Sequence, residues 1–222
     1  MDWQPIILTF KLALITTVIL FFLSIPVAYW LTNTRSKTKP VLEALITMPL
    51  VLPPTVIGFY LLVAFSPSYL FGQWLGSFGI KFVFTFEGLV LASILYSFPF
   101  MVQPIQSGLS NLPPSLAEAS YVLGKSKWKT LTKVLLPNIK PSLLTGIVLS
   151  FAHTIGEFGV VLMIGGSIPG KTKVASIAIY DEVETLDYAM ANTYSMILFI
   201  VTFIILVIVY LVNGGYLNRM GR

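Results

Sequence analysis

Five long apolar stretches set the rhythm of this chain, each separated from the next by polar residues, proline or glycine. They run from about Pro5 to Tyr29, Val41 to Phe65, Phe86 to Ser107, Pro141 to Ile164 and Thr193 to Val212. Each offers the roughly 20 apolar residues that a helix rising about 1.5 Å per residue needs to cross a bilayer. The fifth is almost unbroken Ile, Leu, Val and Phe from Ile197 to Val212, so it is expected to face lipid. The second and fourth are interrupted, by Met48-Pro49 and Pro53-Pro54-Thr55 in one and by Gly156-Glu157-Phe158-Gly159 in the other. The pattern predicts an all-α membrane protein with about five transmembrane helices, a single transmembrane domain over residues 1–222.

Composition agrees: 56% of the 222 residues are hydrophobic and 10% charged, against about 25% charged in a soluble domain. Too few charges remain to coat a globular surface. With no cysteine and one histidine, neither a thiolate metal site nor a zinc or haem centre is expected, and no cofactor. Met1-Asp2-Trp3 lacks a basic leader and the first apolar stretch is long, so that stretch is expected to stay in the membrane.

The net charge of +5 is a matter of topology. If Arg35, Lys37 and Lys39 are cytoplasmic, five spans put Asn111 to Lys140 and the C-terminus on the same side. That side then also gathers Lys125, Lys127, Lys129, Lys133, Lys140, Arg219 and Arg222. Lys11, Lys81, Lys171 and Lys173 fall outside or at its margin, together with most acids. The basic excess therefore reads as positive-inside orientation in a cell inner membrane, with membrane lipid as surroundings and no nucleic acid as partner. No internal repeat is visible, and five spans cannot halve into an inverted repeat.

The segment 111–140 is far longer than a bundle loop requires. Ser115 and Glu118 have capping-box spacing, so a helix is expected from Leu116 to a stop at Gly124. Ser126 can cap a second helix ending near Leu136, since proline disfavours helix in the residue before it. Leu116, Ala119 and Leu123 would form an apolar stripe, and Lys125, Lys129 and Lys133 a basic edge. Such a knob suits docking into a groove on a partner.

Glu118-Ala119-Ser120, three residues, Gly124, nine residues, then Val134-Leu135-Leu136-Pro137 resembles the EAA loop of ABC-importer permeases. Ser120 replaces an alanine of that pattern and Val134 an isoleucine. The resemblance implies a type I ABC importer permease fold in which Glu118, Ala119, Ser120, Gly124, Val134, Leu136 and Pro137 couple the pore to cytoplasmic ABC ATPase subunits. It implies a second copy of the chain forming the other half of the pore, and an extracytoplasmic oxyanion-binding protein that delivers the substrate. Residues 50–58, 156–159 and 168–172 resemble the molybdate and sulfate permeases in particular, and the modest length leans to molybdate or tungstate. Sulfate or thiosulfate, another small anion, and a stand-alone secondary transporter are the alternatives.

Gly165-Gly166-Ser167-Ile168-Pro169-Gly170-Lys171-Thr172 satisfies the P-loop pattern. A P-loop needs a strand before it and an α/β domain on the ATP side. Here a membrane span precedes it, so a glycine-rich turn into a short extracytoplasmic helix is expected, with ATP hydrolysis on a separate subunit.

Candidate pathway residues sit at the interruptions. Prolines inside a membrane helix free carbonyls that neighbours or a wet cavity must satisfy, and Pro53, Pro54 and Thr55 mark either a broken helix facing the anion or a packing kink. His153 and Glu157, four residues apart, can pair on one helical face, and intramembrane ionisable groups are usually functional or paired. A carboxylate would repel a dianion, so Glu157 reads as a gate or pairing residue and not as a ligand. Phe158 is a candidate hydrophobic gate, or simple packing.

Overall fold

The computed structural model describes residues 2–213. Arg219, Arg222 and the expected cytoplasmic C-terminus lie outside the described residues. Within them every regular element is helical. Three helices cross unbroken: α1 (Gln4–Asn33), α5 (Phe86–Ser110) and α12 (Tyr188–Asn213).

In α1 the small and hydroxyl residues Thr9, Ala13, Thr16, Ser24 and Ala28 share the buried face with Leu12, Leu20 and Leu31, while Ile7, Leu14, Val18 and Phe22 point outwards. This inverts a soluble helix. Lipid is as apolar as leucine, so helices gain by close packing of small residues rather than by escaping water. Thr9 is compatible with burial because its Oγ1 bonds back to the Pro5 carbonyl at 2.7 Å, whereas the Thr16, Thr17 and Ser24 hydroxyls have no partner among the described residues.

Helix α5 is the central post, buried along Leu89, Ala92, Ser93, Ser97, Met101, Val102 and Ile105. It is flanked by α1 and by α9 (Lys140–Ile155). The α5–α9 crossing is close because Gly108 faces Ser142 and Gly146 faces Met101; a Cβ on Gly108 would lie 2.5 Å from Ser142 Oγ. Helix α12 packs on α9 and on α11 (Ala175–Glu184) but leaves Phe199, Phe203 and Tyr210 exposed, as its oily sequence predicts.

The second and fourth stretches are not continuous spans. The second divides into α2 (Lys39–Thr47) with a 3-10 turn over Met48–Leu50, and α3 (Pro54–Phe65), the two parts meeting at 106°. Pro53 and Pro54 lack the amides that would carry a helix through the corner. The fourth ends at Ile155; after Gly156-Glu157-Phe158 a short helix, α10 (Gly159–Gly165), takes over. A short helix absent from the sequence expectation, α4 (Leu70–Ser77), lies between α3 and α5.

Of three apolar clusters among the described residues, the two larger stack along the bundle. One joins Leu20, Ile25, Met101, Val102 and Ile105 to Leu131, Leu135 and Ile139 of the 111–140 segment. The other, towards the opposite end, joins Leu12, Leu89, Val160, Val161, Ile164 and Ile177.

Candidate functional site

The 111–140 segment is a two-helix knob. Its first helix, α6, spans Ser115–Val122, one residue earlier than expected, and the capping box does not form. Pro114 already has helical φ and ψ as N-cap, and the carbonyls of Pro113 and Pro114 accept the amides of Leu116, Ala117 and Glu118. The serine is inside the helix rather than ahead of it. Glu118 thus places a carboxylate in the first turn, favourable for the helix dipole. Gly124 has φ +70°, the left-handed conformation of the position after a C-cap. Ser126 caps the second helix by accepting the Lys129 amide at 3.3 Å.

That second helix does not stop at Leu136. It comprises α7 (Lys127–Thr130), a π turn over Leu131–Leu135 and α8 (Leu136–Asn138). Pro137 cannot donate to the Lys133 carbonyl, and the wide turn passes the irregularity along the helix instead of ending it. The axis then bends by 81° into α9.

The knob is rooted as well as presented. Leu131, Leu135 and Ile139, spaced by four, are buried in the core with α1 and α5. Ser120 Oγ and Thr130 Oγ1, both buried, lie 2.9 Å apart and tie the two knob helices together. Of the expected apolar stripe, Leu116 is half-buried while Ala119 and Leu123 face outwards. Ala117 and Ser120 pack inward instead, and Leu123 is 74% exposed. Leu123, with Val122, Tyr121 and Trp128, forms an exposed apolar patch edged by Lys125, Lys127 and Lys129. Of these apolar residues sequence reading named Leu123 alone, although three consecutive apolar residues at a helix end cannot all face one core when each is turned about 100° from the last.

At the other site the two interruptions meet. Gly159, opening α10, lies against Pro54 and Thr55: a Cβ there would be 3.1 Å from Pro54 Cβ and 3.3 Å from Thr55 Cγ2. One turn on, Gly58 packs on Met163 and Val160. The corner of the second stretch is thus seated on the break of the fourth, with Pro53 and Thr55 exposed on its open side.

His153 and Glu157 do not pair. The helix ends between them, so i,i+4 geometry no longer applies. His153 Nδ1 lies 2.9 Å from Ser97 Oγ, and its ring stacks on Phe100 at 4.0 Å. Glu157 is buried, and neither carboxylate oxygen has a hydrogen-bond partner among the described residues. Its backbone carbonyl accepts Ser176 Oγ at 2.7 Å, anchoring the break to α11. Phe158 packs against Tyr180 at 5.1 Å.

The P-loop match is not a phosphate cradle. The Lys171, Thr172 and Lys173 amides all turn inward to the Ile168 carbonyl, at 3.0–3.1 Å. Buried Thr172 bonds the Gly165 carbonyl, and Lys173 Nζ pairs with Asp181 at 2.8 Å. The Gly166, Ile168, Lys171 and Thr172 amides that a phosphate would use are thus already engaged.

The sequence profile of the family described as binding-protein-dependent transport system inner membrane component matches residues 21–220. The chain belongs to this family. Among relatives of this permease, the molybdenum transport system permease protein ModB of Azotobacter vinelandii is 43% identical over 94% of this chain and 93% of its own length. The sulfate transport system permease protein CysT of Escherichia coli K12 is 36% identical over 81% of this chain and 65% of its own. In structure, the permease resembles a chain of a bacterial ABC transporter that imports the acidic polysaccharide alginate, with a TM-score of 0.79, 18% identity, and coverage of 95% of this chain and 78% of that one. A chain of the inward-facing MetNI methionine ABC transporter gives a TM-score of 0.74 at 17% identity, covering 96% and 94%. At such identities the likeness establishes the all-α ABC importer permease fold, and the expected fold class stands.

Proposed function

We propose that this permease is the membrane half of an importer for molybdate or tungstate, working as a homodimer with separate cytoplasmic ATPase subunits and an extracytoplasmic oxyanion-binding protein. The observation that carries the reading is the 43% identity, spread over nearly both full lengths, to a molybdenum transport permease. The lower identity to the sulfate permease makes sulfate the second reading.

In this reading the ATPase grips the knob through Tyr121, Val122, Leu123 and Trp128. Glu118, Ala119 and Ser120 shape the first knob helix, and Gly124 sets the turn. Val134, Leu136 and Pro137 carry the displacement into the bundle. Because Leu131, Leu135 and Ile139 are seated among α1 and α5 side chains, a push on the knob is a push on the bundle's core. Packed cores switch between arrangements and do not deform continuously. The seam between Pro53-Pro54-Thr55 and Gly159 is where such a switch opens the pathway, with Thr55 offering a hydroxyl to the dianion. Glu157 and Phe158 close its outer end, and His153 braces α9 against α5. Lacking a fixed cation at the seam, the pathway passes the dianion without holding it, and selection is left to the binding protein.

The test is radiolabelled molybdate uptake in cells relying on this transporter. Tungstate should halve uptake near equimolar concentration, while sulfate needs about a hundredfold excess, a discrimination of about 2.7 kcal/mol. Equal competition by sulfate would move the substrate assignment to the second reading. Uptake independent of any ATPase would remove both.

A further inference from the structure

At the end of the bundle opposite the knob, a cavity of about 380 Å³ opens between the start of α1, the start of α5 and the glycine-rich turn. Lys11, Lys171 and Glu87 line it, with Leu8, Thr85 and Phe86. Neither lysine has an acidic partner within 4.0 Å among the described residues. Lys11 instead lies 4.8 Å over the Phe86 ring. It sits two turns inside α1, about 10 Å along the axis, the depth at which a lysine reaches for a bilayer's headgroups.

Phe84 forms a wall of this cavity and also of a second, apolar groove of about 700 Å³ lined by Leu62, Val63, Phe65, Ile80 and Phe82, with Lys81 at its edge. Its φ is +61°, a conformation that an aromatic residue rarely adopts. The Phe84 amide is fixed to the Ile164 carbonyl at 2.9 Å. Backbone strain held in place by its surroundings points to a built feature.

We infer that the paired cavities hold one glycerophospholipid, its phosphodiester between Lys11 and Lys171 and an acyl chain in the groove beneath α4. A transported dianion fits the same lysines less well, because Glu87 repels a double charge and the oxyanion has no use for an apolar groove. A singly charged diester is balanced by the lysines, and the groove gives its chain a place. The inference needs only the membrane location of the family, so it stands or falls apart from the substrate.

Native mass spectrometry of the purified, delipidated transporter complex, titrated with dioleoylphosphatidylglycerol, tests it. The wild type should retain lipid at defined stoichiometry, and the Lys11→Gln/Lys171→Gln double variant, matched in thermal midpoint, should bind about thirtyfold more weakly, roughly fivefold for each lysine. Glu87→Gln should tighten retention. Millimolar molybdate should leave the lipid in place. Equal retention by the double variant and the wild type overturns the inference, as does displacement of lipid by molybdate. If the double variant fails to assemble, Glu87→Gln decides alone, and unchanged or weaker retention in it rejects the site.

Discussion

Gly124 turns the knob through a left-handed residue in open space, with no atom within 4 Å of where a Cβ would stand. Substitution there meets no clash, so its cost is conformational alone. Gly124→Ala should destabilise the turn by about 1 kcal/mol, and Gly124→Asn by less, because asparagine tolerates this region. ATPase activity stimulated by the binding protein should fall in the same order, with expression unchanged. Gly58 is the contrary case. A Cβ there would lie 2.7 Å from Met163 Cβ and 3.0 Å from Val160 Cα, so the α3–α10 seam cannot close around a side chain. Gly58→Val should cost about 1–3 kcal/mol by overpacking and abolish uptake, read as a lowered thermal midpoint in detergent together with loss of transport.

Among the elements, the knob's exposed patch separates docking from folding. Trp128 is 66% exposed, so Trp128→Ala should change the chain's own stability by no more than about 0.5 kcal/mol. If it anchors the ATPase as buried interface tryptophans do, the same change should weaken association by about 2 kcal/mol, roughly thirtyfold. Co-purification at graded salt and detergent measures this; unimpaired association would leave the patch without its assigned role. The π turn invites a subtler variant. Pro137→Ala restores the amide missing opposite Lys133, allowing a regular α-turn and changing the knob's rotation about its axis. Stability should hold or rise while transport per ATP hydrolysed falls.

These elements also show what was legible beforehand. The first, third and fifth spans came through because a run of about 20 apolar residues has few other uses, while the second and fourth stretches proved broken. The turn between the knob helices was readable at Gly124 and Ser126, where few residue types suit the local geometry. The capping box failed because Pro113-Pro114 starts the helix before Ser115 can cap it. The His153–Glu157 pair failed because spacing of four means adjacency only while the helix continues, and Gly156 ends it. Helix α4 was hidden in a stretch whose aromatics and glycines carry no clear period. That the Pro53-Pro54 corner would rest on Gly159 is a long-range fact, and a single sequence holds no signal for it.

For the molecule as a whole, the decisive matter is which end of the bundle faces the ATPase. The structure fixes the ends relative to each other: Tyr29, near the end of α1, meets Tyr121 of the knob at 3.4 Å, while the start of α1 meets the glycine-rich turn through Gln4 and Gly170. Basic residues cluster at the knob end, which the positive-inside rule places in the cytoplasm. The chain contains no cysteine, so single thiols can be introduced without background. Ser126→Cys places one on the exposed knob and Ser68→Cys one on the exposed turn between α3 and α4. A membrane-impermeant maleimide should label the Ser68→Cys thiol in right-side-out vesicles and the Ser126→Cys thiol only in inverted ones. Spin labels at position 126 in the assembled transporter should then approach each other when a non-hydrolysable ATP analogue is added, because closure of two ATPase subunits can draw the knobs together only from the side they share. Labelling of both thiols from one face, or a knob-to-knob distance indifferent to nucleotide, would deny the chain its role as a passive pore moved by a separate motor.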